Sequence, residues 1–522
     1  MDRRRRKVVT QGEGIVGEDK EILLKSKAEQ FHALREKYPA FFYRGYRYYF
    51  DDLDSVSFAE GKEGSGEAKD GVFCHIQYDF EIPGLSSFHP SWVFPVRRTV
   101  NDRTRKVLNE LIFQLGMAET ISYYKTSCPE KVVVACGTLT PEQKEWWKKL
   151  YYNGLGEFLY RNGIEVEKND LVSIEAKTPS ERGEEKPFAD DTVYHGLLVP
   201  VGGGKDSAVT LETLRGQEIE TYHINDDSAI DEVIEVFHHG SRIYRESRTA
   251  SRSEIRRNYH YVGRKEDCRA RRTLDPNMLE LNRRGYLNGH TPFSSIVAFS
   301  SVLAAFLTQR EYIALSNETS ANEPTVRGSS VNHQYSKSVE FEEDFRKYMK
   351  EIVGSNIEYF SFLRPFSEIQ IAAAFSGCKA YHPVFLSCNK GSKTGIWCCR
   401  CPKCLFVYII LSPFLSEEEL CGIFGENLLN QPLLEKEFRE LLGIDENKPF
   451  ECVGTRGEVA AALKAYLEQG KTSLLTSRYQ GEIRMSNPDL AAYLKGWEER
   501  NHVPSAFVPF LRKEWSRMQD LG

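Results

Sequence analysis

Three consecutive glycines, Gly202, Gly203 and Gly204, constrain this chain most, because they separate an apolar pentad from an apolar-periodic segment. Leu197 to Val201 reads as a short buried strand, and Val209, Leu211 and Leu214 follow at helical spacing until Gly216. Strand, glycine turn and helix make an anion cradle. Glycine permits positive φ and close backbone approach, so N–H groups and a helix N-terminus can face a phosphate. Lys205 adds a cation, Asp206 a carboxylate placed to hold Mg²⁺ between phosphate oxygens, and Ser207 a hydroxyl donor. Glycines alone would suit a plain chain reversal; a cation, a carboxylate and a hydroxyl in the same six residues favour nucleotide binding. The Walker A spacing is missing.

The rest of the chain fits a soluble enzyme. Its 522 residues, 41% hydrophobic and 28% charged, are enough for two or three domains. A net charge of -6 argues against a generic nucleic-acid binder. The longest apolar run, Ile296 to Leu307, carries Ser300 and Ser301 and is too short to span a membrane. The basic N-terminus lacks the apolar core of a signal peptide. Twelve cysteines without such a signal read as reduced thiols, so a cytoplasmic location is expected.

Taken in order, Leu23 to Tyr38 predicts a helix, and Tyr43 to Phe50, Phe73 to Ile82 and Trp92 to Val96 predict strands. Asp51 to Gly71 reads as a solvated loop. An amphipathic helix over Leu108 to Ser122 and a strand over Val132 to Ala135 follow, then a helix capped by Thr140 with Pro141 in its first turn and Gln143 completing a capping box. These make an α+β domain over residues 1–190, closed by the charged loop Lys177 to Asp191. A doubly wound parallel α/β sheet is expected over 191–410 and a helical region over 411–522, including helices at Leu405 to Phe414 and Trp497 to Met518.

In such a sheet ligands meet the C-terminal strand ends. Strand Ile219 to Ile224 ends at Asn225 and Asp226, which either contact the adenine or ribose or cap the next helix. Strand Tyr312 to Leu315 delivers Ser316, Asn317 and Glu318. Asn288 to Pro292 predicts a helix start with Thr291 as cap. The arginines between Arg242 and Arg284, among them Arg256, Arg257, Arg269, Arg271, Arg272, Arg283 and Arg284, read as a solvated helical face or a surface for a polyanion.

Cys388, Cys398, Cys401 and Cys404 offer two overlapping C-x-x-C steps and an upstream thiol, a set suited to tetrahedral Zn²⁺. Cys399 competes with Cys398 for one ligand place; a redox pair and an iron–sulfur cluster are the other readings. Isolated Cys74, Cys128, Cys136, Cys268, Cys378, Cys421 and Cys452 read as buried small hydrophobes.

The loop G-G-G-K-D-S resembles the S-G-G-x-D-S signature of the PP-loop ATP pyrophosphatases (adenine nucleotide alpha hydrolase-like fold), with Gly202 in place of the first serine. Loop and cysteine pattern together resemble 7-cyano-7-deazaguanine synthase over the second domain. A wider resemblance is to the ATP-dependent UDP-N-acetylmuramoyl-L-alanyl-L-glutamate epimerases of peptidoglycan synthesis. It is carried by L-G-M-A-E-T-I-S-Y-Y-K from Leu115, L-T-P-E-Q-K-E-W-W from Leu139, G-L-G-E-F from Gly154, L-N-G-H-T-P from Leu287, L-S-N-E-T-S-A-N from Leu315, V-N-H-Q-Y-S-K-S from Val331 and W-C-C-R-C-P-K-C from Trp397.

This resemblance implies an ATP-dependent isomerase. ATP and Mg²⁺ on Gly202 to Ser207 would adenylate the α-carboxylate of the terminal L-glutamate, releasing pyrophosphate; a side-chain base would invert the α-carbon and water would release AMP. It names His290, His333, Lys337 and Tyr335 as candidate proton-transfer groups and Glu318 as a second Mg²⁺ ligand. Residues 1–190 would hold the UDP-muramoyl part of the UDP-linked muramoyl dipeptide substrate. A PP-loop amide or nitrile synthase, and an RNA-binding protein using Arg242 to Arg284, are the alternative readings.

Overall fold

A computed structural model describes residues 19–51, 72–178, 193–240, 267–326, 328, 331–392, 394–485 and 489–520. Most of the Asp51 to Gly71 loop and of the Lys177 to Asp191 boundary, together with Arg256 and Arg257, lies outside the described residues.

The fold is mixed α/β around one eleven-stranded sheet. In chain order its strands are β1 (Ala40–Asp51), β2 (Val72–Ile82), β3 (Ser86–Phe88), β4 (Ser91–Val96), β5 (Lys131–Thr138), β6 (Ser173–Lys177), β7 (Leu197–Pro200), β8 (Ile219–Ile224), β9 (Asp267–Thr273), β10 (Tyr312–Leu315) and β11 (Glu358–Ser361). Their spatial order is β11-β10-β7-β8-β9-β4-β2-β1-β5-β6, with β3 on β2. The run from β11 to β9 is parallel throughout. At β9 the sheet turns antiparallel: Arg271 to Thr273 pairs with Ser91 to Val93 of β4, continuing the sheet into the strands from the first 190 residues. Within the segment expected to present arginines on a helix, Asp267–Thr273 is a strand in which Arg269 and Arg271 alternate with buried Cys268 and Ala270, whereas Arg283 and Arg284 do lie on a helix, Pro276–Arg284.

Side-chain alternation gives the parallel half a core on each face. Leu197 and Val199 pack with Ala208 and Leu211 on one side, and Leu198 joins the opposite core with Leu303 and Ile313. The 16-residue helix Phe293–Thr308 supplies much of that second core and packs on the 23-residue helix Asp102–Tyr124. This placement accounts for the apolar run at Ile296 to Leu307. The Asp102–Tyr124 helix is buried all round from Leu111 onward, where the sequence predicted an amphipathic helix. Its polar residues find buried partners: Gln114 accepts from the Tyr348 hydroxyl at 2.7 Å and Glu119 from the Trp92 indole at 2.8 Å.

The capping box at Thr140 forms as expected, an arrangement worth about 1 kcal/mol. Two other expectations are corrected. Thr291 does not cap the next helix; its hydroxyl accepts from the buried Lys125 ammonium at 2.6 Å, and the helix starts at Phe293 behind Pro292. Residues 497–507 are not helical. Pro504 lacks an amide donor and Asn501 Oδ1 takes the Val503 N–H, so the closing helix runs only from Val508 to Gln519. No helix among the described residues is long and apolar enough to cross a membrane.

Candidate active site

The chain leaves β7 for β8 on one side, while β10 lies on the other. The strand ends therefore diverge at a topological switch point, and the glycine turn sits there. A cleft of about 340 Å³ opens over it, bordered by Gly202, Gly204, Asp206 and Ser207 on the turn, Asn317 after β10, and Lys337, Lys403 and Cys452 opposite.

The turn is tightly made. Gly202 N–H donates to Ser207 Oγ at 3.0 Å, and Gly203 O accepts from Leu386 N–H at 2.8 Å. Gly203 has φ +72°, and a Cβ there would stand 3.1 Å from Ile230 N. Gly204 precedes the helix Lys205–Thr213, whose N-terminus no side chain caps. That end carries the partial positive charge of the helix dipole beside the cleft.

Lys205 does not reach the cleft. Its ammonium is buried against Asp206 and Glu368, which hold it charged despite the cost of burial. It fixes the Asp206 carboxylate, and the cations that border the cleft are Lys337 and Lys403. Asn317 lines the cleft and donates to Ser361 Oγ at 3.1 Å. Glu318 is buried and accepts from Ser320 Oγ at 3.1 Å, away from the cleft lining. Asn225 and Asp226 are also turned away: Asn225 Oδ1 accepts from Arg272 N–H at 2.7 Å, and Asp226 pairs with Arg269. Asp227, instead, caps the following helix.

His290 and His333 meet, though 43 positions separate them in sequence, with ring centroids 4.6 Å apart. Both contact Glu157 Oε2 through Nδ1, His333 at 2.5 Å and His290 at 3.3 Å. Burial opposes charge on His333, but hydrogen bonds to Cys452 and Glu157 prevail and raise it to about 9. Burial and the charge on His333 lower His290 to about 4. Lys337 Nζ lies 3.4 Å from Cys452 Sγ. The thiolate is the main cause that keeps Lys337 protonated. Burial opposes a thiolate at Cys452, yet Lys337 and His333 bring it down to about 6. Tyr335 is packed against Phe341 in the core.

Glu157 and Cys452 are the residues that sequence reasoning missed. Glu157 stands inside the block G-L-G-E-F, so a carboxylate signal was present. Cys452 has no local signature.

The four cysteines converge. Cys388, Cys398, Cys401 and Cys404 place their sulfurs within 4.8 Å of one another, with separations of 3.7 Å for 388 to 401, 3.7 Å for 398 to 404 and 3.4 Å for 401 to 404. Four thiolates about 2.3 Å from a tetrahedral Zn²⁺ would lie about 3.8 Å apart, so the cluster suits a structural zinc ion. Cys399 is excluded from it, with φ 53° and its thiol on Phe424 O at 3.1 Å. The cluster also shapes the cleft: Ser387 precedes Cys388 and stands against Gly204, while Lys403 lies between Cys401 and Cys404.

Comparison with known proteins places this arrangement. The family model of the MurL N-terminal domain matches residues 62–250 and 249–362, and that of the MurL C-terminal domain matches 384–478. The chain belongs to the MurL family. Among MurL proteins it is 34% identical over 378 residues to one from Salinispora tropica, covering 71% of this chain and 76% of that one. It is 32% identical over 380 residues to one from Xanthomonas oryzae pv. oryzae, covering 71% and 78%. Both carry the name UDP-N-acetyl-alpha-D-muramoyl-L-alanyl-L-glutamate epimerase. No solved structure matches this MurL chain.

Proposed function

We propose that this chain inverts the terminal L-glutamate of a UDP-N-acetylmuramoyl dipeptide to D-glutamate for peptidoglycan precursor synthesis, using ATP to activate the α-carboxylate. What supports the substrate is the name its relatives share. What supports ATP is the glycine turn at the switch point beside an uncapped helix N-terminus. An ionised carboxylate repels the carbanion that epimerisation requires; as an adenylate it is neutral toward that carbon and can delocalise the electron pair. A general base contributes only about 10²–10⁴-fold, so it needs this activated substrate.

In this reading the cleft is of the PP-loop type, and the turn Gly202 to Gly204 with Ser207 and Asn317 holds the triphosphate and adenosine. Asp206, a carboxylate on the turn side of the cleft, is assigned to Mg²⁺, which when bound neutralises phosphate charge. Lys205 acts by positioning Asp206. Lys337 and Lys403 receive the negative charge that develops on the adenylated carboxyl. Residues 1–190 carry the UDP-sugar end of the substrate.

Incubation with ATP, Mg²⁺ and the UDP-linked L-Ala-L-Glu substrate in deuterated water tests the reading. The expected result is D-glutamate labelled at its α-carbon, with AMP and pyrophosphate formed. Production of ADP, or labelling without ATP, would overturn it.

A further inference from the structure

The proton-transfer groups suggested by sequence are His290, His333, Lys337 and Tyr335, and their placement limits each; Tyr335 is packed into the core against Phe341. His333 is engaged by Glu157 through Nδ1 at 2.5 Å. His290 packs behind it on the same carboxylate. Lys337 borders the cleft, but as an ammonium against a thiol it has no lone pair to accept a proton. Cys452 stands where these groups meet: it borders the same cleft as the glycine turn, Lys337 Nζ lies 3.4 Å from its sulfur, and the charge of His333, itself held by Glu157, acts on it. The backbone is held too, since the Lys403 ammonium donates to Cys452 O.

We propose that Cys452 is the base that removes the glutamyl α-proton, with His333 and Glu157 as positioning residues. This rests on the ATP-activated epimerase reading. The α-C–H bond breaks, its electron pair moves into the carbonyl of the adenylated carboxyl as an enolate, and an S–H bond forms. The enolate charge faces the ammonium groups of Lys337 and Lys403. A proton from water or an ammonium of the cleft adds to the opposite face, and the Cys452 proton leaves to solvent, which closes the step in atoms and charge. A thiolate suits this role because it is ionised near neutral pH and, unlike the lysines here, offers a free electron pair.

The test uses the full chain and its Cys452→Ser and Cys452→Ala variants with UDP-linked L-Ala-L-Glu and ATP–Mg²⁺. Substrate-dependent exchange of labelled pyrophosphate into ATP reports adenylation and an intact fold; deuterium uptake at the glutamyl α-carbon reports proton removal. Both variants are expected to keep the exchange near the wild-type rate and to lose deuterium uptake by roughly 10²–10⁴-fold. Wild-type deuterium uptake in Cys452→Ala overturns the assignment. Loss of exchange and uptake together in both variants makes Cys452 structural, and an acyl adduct trapped on its sulfur makes it a nucleophile; each also overturns it. Failure of the wild-type chain to exchange pyrophosphate would instead overturn the ATP reading on which the assignment rests.

Discussion

Arg272 forms a two-pronged pair with Glu119: Nε lies 2.6 Å from Oε1 and Nη2 lies 2.7 Å from Oε2. Glu119 is fully buried in the Asp102–Tyr124 helix, and Arg272 comes from β9, where the parallel strands join the antiparallel ones. The contact ties the first 190 residues to the segment that carries the candidate site. Replacing one member leaves a buried charge without its counterion, so Arg272→Leu is expected to destabilise the fold by about 3–5 kcal/mol. Restoring neutrality with Arg272→Leu and Glu119→Leu together is expected to recover part of that loss. Denaturant unfolding of the two variants checks this; equal losses would show that the pairing is immaterial.

The glycine turn makes unequal demands at its three positions. Gly203 is left-handed, and a Cβ would press on the backbone of Ala229 and Ile230, so Gly203→Ala is expected to cost about 1–3 kcal/mol and to abolish ATP turnover. At Gly202 the nearest atom to an added Cβ is Ser207 Oγ at 4.0 Å. Gly202→Ser should therefore fold and turn over ATP like the parent chain, which AMP release and thermal unfolding would measure.

For the cysteine cluster the contrast lies between adjacent residues. Cys398→Ser or Cys401→Ser is expected to lose bound zinc, whereas Cys399→Ser keeps it, because the Cys399 thiol faces Phe424 O. Zinc loss should also impair ATP turnover, since Leu386 and Ser387 brace the glycine turn two residues or fewer from Cys388. Elemental analysis beside the AMP assay reads both effects.

Local periodicity made the parallel strands legible: Ile219 to Ile224 and Tyr312 to Leu315 occupy the ranges read from their apolar runs. The convergence of Cys388, Cys398, Cys401 and Cys404 was legible because C-x-x-C spacing is itself a geometric statement. Lys205 misled because a cation next to a glycine turn signals phosphate, and only the fold shows Glu368, 163 residues on, taking its charge. Cys452 was hidden for the same reason, being 115 residues from Lys337 and 119 from His333 in a stretch without pattern. Cleft membership is a long-range property that no window of sequence contains.

The ionisation of that thiol can be read directly. Lys337, His333 and Lys403 face Cys452, and Glu451 is its chain neighbour. The net field of these groups favours the thiolate despite burial, with the midpoint at about 6. At pH 7 such a thiol is largely ionised, whereas an unperturbed cysteine near 8.5 is largely protonated. Because the thiolate is the form that alkylates, iodoacetamide modification of Cys452, followed by peptide mass spectrometry, should rise through pH 6 and level off above pH 7. Lys337→Met removes the nearest positive charge, so the same curve should move to higher pH. A wild-type curve still rising between pH 8 and 9, or one that Lys337→Met leaves in place, would show that the lysine does not set the charge of this sulfur.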